Sequence, residues 1–152
     1  MHILLLTTLP NRVAEVLSLS AQTDIIDCRD YSTIDARLRD YLSHHQPDRI
    51  ITYRCPYILP RELYSQALYG AVNIHPSLLP KYKGLNPWEA LLLSGETRTG
   101  VTIHRITDEV DGGEIILQEA FDFDPTTPLE QLREQADKLA ADMISRHYVI
   151  PS

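Results

Sequence analysis

The chain has 152 residues, of which 43% are hydrophobic and 23% charged, values that are ordinary for one globular domain. Its formal net charge of −7 argues against a general role in binding nucleic acid or an anionic membrane surface, because phosphate groups would be repelled. Two cysteines are too few for a disulfide framework or a structural zinc site, and no segment resembles a signal peptide or a membrane span, so we expect a cytoplasmic domain.

Apolar runs and segments with helical periodicity alternate through the first half of the chain. They predict strands at His2–Thr8, Asp24–Cys28 and Arg49–Tyr53, a helix over Arg12–Ser20, and a second helix that ends before Pro47. Asn11 and Thr33 are the predicted N-caps of the two helices. This alternation predicts right-handed crossovers and a parallel sheet.

The second half continues the pattern with the following predicted elements: a short helix at Arg61–Tyr69, a strand within Gly70–Leu79, a helix from Pro87 through Leu93, strands at Val101–Ile106 and Ile115–Phe123, and a helix from Pro128 to Tyr148. The last two strands are close enough in sequence to pair as an antiparallel hairpin. We therefore predict an α/β fold of the Rossmann-like kind: a mostly parallel sheet with helices on both faces and an antiparallel C-terminal hairpin.

Two polar side chains stand at the end of the apolar strand in GAVNIHPSLL. Asn73 and His75 are two residues apart and point to the same face of that strand, at the edge where α/β sheets bind ligands. Asp111, in the VDGG loop, is the third candidate. A carboxylate raises the pKa of a nearby histidine, and an amide can donate to a developing oxyanion without titrating. The three residues predict attack on a carbonyl with no covalent enzyme intermediate; a satisfied turn and an ordinary hairpin are the alternatives.

Other candidate sites are weaker. Ser77 lacks the Gly-x-Ser-x-Gly turn of a hydrolase nucleophile, and His44 and His45 are adjacent on a helix and cannot face one metal ion. Cys55 has no marked partner, so we interpret it as a packed cysteine rather than a nucleophile. No metal site is predicted.

The segment NIHPSLLPKYKGLNP, followed by TGVTIHRITDEVDGGEIILQ, resembles the folate-dependent formyltransferase family. That family includes glycinamide ribonucleotide transformylase, methionyl-tRNA formyltransferase and the sugar N-formyltransferases. The resemblance extends over about Arg49–Asp124 and has both segments in the family order. It implies that residues 1–152 form a single Rossmann-like formyltransferase catalytic domain, and that Asn73, His75 and Asp111 match the catalytic residues of the family.

The resemblance also implies the formyl donor, 10-formyltetrahydrofolate, and two loops that hold its pterin. The positions implied to contact the pterin are Tyr57, Ile58, Thr107, Asp108, Glu109 and Val110. The resemblance further implies that a loop lines the acceptor side of the site, with contacts to the acceptor from Lys81, Lys83, Asn86 and Trp88. The alternative is that these residues belong to an ordinary exposed loop.

Two departures from the family pattern narrow the expected acceptor. The first strand ends in TTLPNR without a glycine-rich turn, and the N-terminal half is short, which argues against glycinamide ribonucleotide. The chain ends at Ser152 and is acidic, which argues against tRNA. We therefore expect a small-molecule amine, either an amino sugar or an amino-acid-like compound. The alternatives are a formyltetrahydrofolate hydrolase and a non-catalytic member that binds folate or a partner; a homodimer is compatible with the sequence.

Overall fold

The computed structural model describes residues 1–20, 22–84 and 86–147. In these ranges the strands are β1 (His2–Thr7), β2 (Gln22–Asp27), β3 (Arg49–Tyr53), β4 (Ala71–His75), β5 (Arg98–Arg105) and β6 (Ile115–Asp122). The helices are α1 (Arg12–Ser20), α2 (Tyr31–His44), α3 (Arg61–Tyr64), α4 (Pro87–Ser94) and α5 (Leu129–His147). Tyr148, the predicted end of the last helix, lies outside the described residues. None of these helices is long and apolar enough to cross a membrane.

The six strands form one sheet in the order β2-β1-β3-β4-β5-β6. The pairs among β1 to β4 are parallel, whereas β5 is antiparallel to both β4 and β6. The predicted fold class is confirmed. The antiparallel part of the sheet is larger than the predicted hairpin of β5 and β6, because β4 and β5 also pair in antiparallel fashion. As a result, Asn73 on β4 lies directly opposite His104 on β5.

Helices cover both faces of the sheet. One core contains residues from α1, α4 and α5, including Leu17, Leu91 and Met143. The other contains residues from α2 and α3, including Leu38 and Leu63. Each large aliphatic side chain removed from water in this way contributes roughly 1.5–3 kcal/mol, which is why strands buried on both faces read as continuous apolar runs.

The helix ends differ in part from the prediction. Asn11 does cap α1, because its Oδ1 accepts a hydrogen bond of 2.9 Å from the Ala14 N–H. The predicted cap at Thr33 is wrong: α2 begins earlier, and the Asp30 side chain accepts from the Ser32 N–H. The predicted helix Arg61–Tyr69 stops at Tyr64.

The early end of α3 has a local cause. The backbone N–H groups of Leu68 and Tyr69 donate to the carbonyl groups of Pro47 and Asp48 instead of continuing the helix. These bonds tie the segment before β4 to the turn before β3. They thereby help to fix β4, which carries Asn73 and His75, beside β3.

A buried hydrogen bond joins β3 to α5 beneath the candidate site. The Tyr53 hydroxyl donates to Asp137 Oδ1 at 2.7 Å, and both residues are buried. We expect Tyr53→Phe to lower the free energy of unfolding by about 1–3 kcal/mol, because the carboxylate loses a buried donor. Urea denaturation measures this change. The matched control Tyr69→Phe, at an exposed tyrosine, should change stability by less than about 0.5 kcal/mol, and equal effects of the two variants would contradict the role of the bond.

Candidate active site

A cavity of about 460 Å³ opens at the carboxyl ends of β3 and β4. Asn73, His75 and Asp111 all contribute to its lining, as do Thr52 and Tyr53 at the end of β3. This is the edge at which open α/β sheets bind ligands, and the volume lies in the range of roughly 300–1,000 Å³ that is usual for small-molecule sites. The three residues proposed from the sequence therefore meet in one ligand-sized cavity.

The Asn73 amide is held in one orientation by its neighbours. The Thr52 hydroxyl donates to Asn73 Oδ1 at 2.6 Å, and Asn73 Nδ2 lies 3.0 Å from Nε2 of His104. Because His104 Nδ1 faces the Arg105 carbonyl at 3.0 Å, Nδ1 carries the proton and Nε2 accepts from the amide. One of the two N–H bonds of the Asn73 amide is thereby free to face a ligand, since the described residues supply it with no acceptor.

Asp111 reaches the site from the loop between β5 and β6. The Gly84 N–H donates to its Oδ2 at 2.7 Å, and its carboxylate oxygens lie 3.7 Å from His75 Nδ1 and 3.5 Å from His104 Nε2. Burial, the largest single effect, raises the pKa of Asp111, but the interactions of its carboxylate with His104, the Gly84 N–H and His75 together outweigh burial and lower the pKa. Asp111 is therefore a carboxylate at neutral pH. Its φ of 53° is a strained conformation for a non-glycine residue, of the kind that clusters at functional sites.

The charge state of His75 corrects the prediction from the sequence. Asp111 was expected to raise the pKa of His75, but burial is the larger effect and lowers it below the ordinary value of 6.5. The Tyr82 carbonyl accepts a hydrogen bond of 2.8 Å from His75 Nε2, so the proton of the neutral ring lies on Nε2. Nδ1 then carries a lone pair close to Asp111, and the ring can accept a proton there.

The lowered pKa of His75 predicts a pH dependence of stability. As the pH falls below about 6.5, the unfolded chain binds a proton at this position that the folded protein does not hold, so stability present at higher pH is lost. Between about pH 7.5 and 5.5, wild type should lose more free energy of unfolding than His75→Gln, with a difference of up to about 1.4 kcal/mol per pH unit. Urea denaturation across this range tests it; a relative gain of stability by wild type on acidification would instead indicate a raised pKa.

His104 is a site residue that the sequence interpretation missed. Its ring is buried between Asn73 and Asp111, and it contacts both side chains. In the sequence it is one polar position in the alternating strand around TGVTIHRI, which is ordinary for a sheet with one polar face. Only the pairing of β4 with β5 brings it opposite Asn73, and strand register is not readable from one sequence.

Five of the six residues implied to contact the pterin line the cavity: Tyr57, Ile58, Thr107, Glu109 and Val110. Ile58 and Val110 are 61% and 47% exposed, so two large apolar side chains stand open at the cavity and can cover a planar ligand. The Tyr57 hydroxyl donates to Asp35 at 2.5 Å, so the aromatic ring is the part of Tyr57 that is available to line the cavity. Asp108 is the exception, because its carboxylate pairs with Arg61 and Tyr64 outside the cavity lining.

The predicted acceptor residues divide into two groups. Asn86 and Trp88 line the cavity. Lys81 and Lys83 do not: Lys81 Nζ pairs with Glu96 at 2.8 Å on another part of the surface, and Lys83 Nζ lies 3.9 Å from Glu109. This corrects the prediction for both lysines: neither lines the cavity, and the amino group of each lies near an acidic side chain.

Two arginines that the sequence interpretation did not select line the cavity instead. Arg54 follows β3 directly, and Arg133 lies on α5. Neither is paired with a carboxylate among the described residues, and both are exposed. The position of Arg54 at a strand end was a usable signal, whereas Arg133 is brought to the cavity only by the packing of α5. In the described part of the chain, no group of three or more His, Cys, Asp or Glu residues is arranged to hold a metal ion.

Comparison with known proteins gives a consistent result. The Formyl transferase family matches residues 7–147. The methionyl-tRNA formyltransferase of Thermotoga maritima is 40% identical over 105 residues, which is 69% of this chain and 34% of that protein. The chain thus spans about a third of the length of this and similar curated relatives.

Solved structures share the fold at lower identity. Glycinamide ribonucleotide transformylase 1 from Symbiobacterium toebii superposes with a TM-score of 0.79 at 20% identity, covering 96% of this chain and 84% of that chain. A formyltetrahydrofolate deformylase from Pseudomonas syringae pv. tomato superposes with a TM-score of 0.79 at 22% identity, covering 95% of this chain and 59% of that chain. At these identities the superpositions establish the fold alone.

Proposed function

The chain belongs to the formyltransferase family, and on that premise we propose that it transfers a formyl group from 10-formyltetrahydrofolate to a primary amine. One observation carries the proposal: an amide, a neutral imidazole and a carboxylate converge on one ligand-sized cavity in a chain of this family. Amide donors and a proton-accepting ring are what attack of an amine on a formyl group requires. The two unpaired cysteines are compatible with a cytoplasmic location.

The cavity fits the donor in size and in chemistry. Ile58 and Val110 supply apolar surface for the faces of a pterin, and the loop backbone around Thr107 and Glu109 supplies polar groups for its edge. When bound, 10-formyltetrahydrofolate supplies the formyl group on one of its nitrogen atoms. We assign Tyr57, Ile58, Thr107, Glu109 and Val110 to its binding.

Asn73 stabilises the charge that develops during transfer. The N–H of its amide that His104 does not accept can donate to the formyl oxygen as negative charge builds on it. Thr52 and His104 fix the amide, so little reorganisation is needed at the moment of reaction. Asn73 is therefore proposed as the oxyanion donor.

His75 and Asp111 handle the proton that the amine must lose. His75 begins neutral, accepts this proton at Nδ1 and returns it to the nitrogen that gives up the formyl group. Asp111 lies 3.7 Å from Nδ1 and stabilises the ring while it is charged. The sequence predicted a raised pKa for His75; in this assignment His75 is neutral at rest and charged only while it carries the proton.

For the acceptor, we propose a small amine that also carries an anionic group. Arg54 and Arg133 give the cavity wall two cationic side chains without carboxylate partners among the described residues, and these suit a phosphate or carboxylate. Methionyl-tRNA is the second candidate, because the named relatives include methionyl-tRNA formyltransferases. The comparisons therefore do not support the expected exclusion of nucleic acid. The net charge of −7 is the remaining argument against a tRNA acceptor.

A screen of amines tests the proposal. The protein is incubated with 10-formyltetrahydrofolate and separate acceptors: nucleotide-linked amino sugars, phosphorylated amines, amino acids and methionyl-tRNA. Formation of tetrahydrofolate is followed by absorbance, and the formylated product is identified by mass spectrometry. We expect a formamide product from an anionic small amine.

The same screen separates the alternatives. Formate release without any amine would favour a hydrolase, in line with the deformylase among the structural neighbours. Folate binding without transfer to any acceptor or to water would contradict the proposal and favour a non-catalytic member. A product from methionyl-tRNA alone would retain formyl transfer and overturn the small-molecule acceptor.

A further inference from the structure

Two thiols meet at the wall of the donor cavity. Cys55 lines this cavity, and its Sγ lies 3.2 Å from Sγ of Cys28, which is buried. Both cysteines are free thiols. They are 27 residues apart in sequence, and the chemistry assigned to Asn73, His75 and Asp111 uses neither of them.

The pair joins a fixed element to a loop. Cys28 follows β2 directly, is 2% exposed, and its N–H donates to the Thr7 carbonyl at 2.8 Å. Cys55 lies in the segment between β3 and α3, which has no regular secondary structure. A disulfide needs an S–S distance of about 2.05 Å, so the two sulfur atoms are roughly 1 Å from bonding distance. The loop is the part that can supply this movement.

The two thiols differ in reactivity. The hydrogen bond from Cys28 lowers the pKa of Cys55 more than burial raises it, whereas the same bond and burial both raise the pKa of Cys28. The thiolate, which is the form that attacks oxidants, is therefore favoured on the cysteine that opens to the cavity. The raised pKa keeps Cys28 protonated while Cys55 is reduced.

We propose that Cys55 is an oxidation site for small hydroperoxides and that Cys28 resolves it to a disulfide in the wall of the cavity. The Cys55 thiolate attacks the peroxide O–O bond, so that sulfur is oxidised to a sulfenic acid and the peroxide is reduced to an alcohol or water. Cys28 then gives up its proton and attacks the Cys55 sulfur as the thiolate; an S–S bond forms, the S–O bond of the sulfenic acid breaks, and the hydroxyl group leaves as water with that proton. A dithiol reductant reverses the bond by exchange.

The disulfide regulates donor binding, and this part of the inference rests on the proposed function. Drawing Cys55 towards the fixed Cys28 moves the loop that also carries Tyr57 and Ile58, two of the side chains assigned to the pterin. We expect the oxidised protein to bind tetrahydrofolate at least about tenfold more weakly than the reduced protein.

Mass spectrometry and tetrahydrofolate binding test the inference on the full chain. After treatment with hydrogen peroxide, the intact mass should fall by two hydrogen atoms, and a non-reducing peptide map should contain a peptide in which Cys28 and Cys55 are joined. Dithiothreitol should restore both the mass and the affinity for tetrahydrofolate. Absence of the joined peptide overturns the inference, and a joined peptide with unchanged tetrahydrofolate affinity overturns its regulatory part.

Variants separate this chemistry from the proposed function. In Cys28→Ala the resolving thiol is absent, so peroxide should leave a sulfenic acid on Cys55 that dimedone captures, with no disulfide. In Cys55→Ser dimedone should capture nothing at either position, a control that holds even if Cys28→Ala does not fold. Dimedone labelling of Cys28 in place of Cys55 would overturn the assignment. If the reduced wild type does not bind tetrahydrofolate, the proposed function fails, while the joined peptide still decides the cysteine chemistry.

Discussion

Replacing Asp111 with asparagine is expected to lower kcat for formyl transfer by about 10²–10⁴-fold, the usual contribution of proton transfer by a positioned group. The amide keeps the shape of the carboxylate and can still accept from the Gly84 N–H at 2.7 Å. It carries no negative charge 3.7 Å from His75 Nδ1, so the protonated ring loses its stabilising partner. The loss should therefore appear in kcat while the fold is retained.

The control for this variant is three residues away. Asp108→Asn removes the same charge from the same loop, but Asp108 pairs with Arg61 and Tyr64 outside the cavity lining. Its kcat should stay within a few-fold of wild type. Steady-state kinetics with a saturating acceptor measure both variants, and equal losses from the two substitutions would contradict the role of Asp111.

Replacing Asn73 with alanine is expected to lower kcat by about 10²–10³-fold, as removal of one preorganised oxyanion donor does in other enzymes. The donor should still bind, because the residues assigned to the pterin lie in the loops that follow β3 and β5 and not on β4. Affinity for tetrahydrofolate should therefore stay within a few-fold of wild type, which separates a lost transition-state contact from a damaged site.

A graded variant sharpens the test of Asn73. Thr52→Val keeps the size of the side chain and removes the hydroxyl that donates to Asn73 Oδ1 at 2.6 Å. The amide stays in place but loses one of the contacts that orient it, so kcat should fall less than in Asn73→Ala. The rate of formyl transfer in Asn73→Ala is also measured under single-turnover conditions, so that slow product release does not mask the effect. A single-turnover rate equal to that of wild type would contradict the role of Asn73.

Much of this site could be predicted from local sequence. The apolar strand before Asn73 and His75 fixes their face and their position at the carboxyl edge of the sheet, because side chains alternate along a strand. Asp111 could be predicted from its glycine-containing loop and from the family motif in which it stands. The same resemblance implied that Ile58 and Val110 contact the pterin, and both side chains line the cavity.

The rest depended on tertiary packing. His104 joins the site through strand register, and Arg133 through the docking of α5, neither of which has a local signal. The pKa of His75 was predicted in the wrong direction because a nearby aspartate is visible in sequence and the extent of burial is not. Lys81 and Lys83 were chosen by loop position, and their acidic neighbours come from distant segments.

The most direct measurement follows the formyl group itself. Wild type and Asp111→Asn are each given 10-formyltetrahydrofolate with an isotopic label in the formyl carbon, together with the best acceptor from the amine screen, and the products are resolved by mass spectrometry. The proposed site predicts labelled formamide from wild type and at least about a hundredfold less per unit time from the variant. Label that stays on the folate in the wild-type reaction, or equal labelled product from both proteins, would contradict formyl transfer at Asn73, His75 and Asp111.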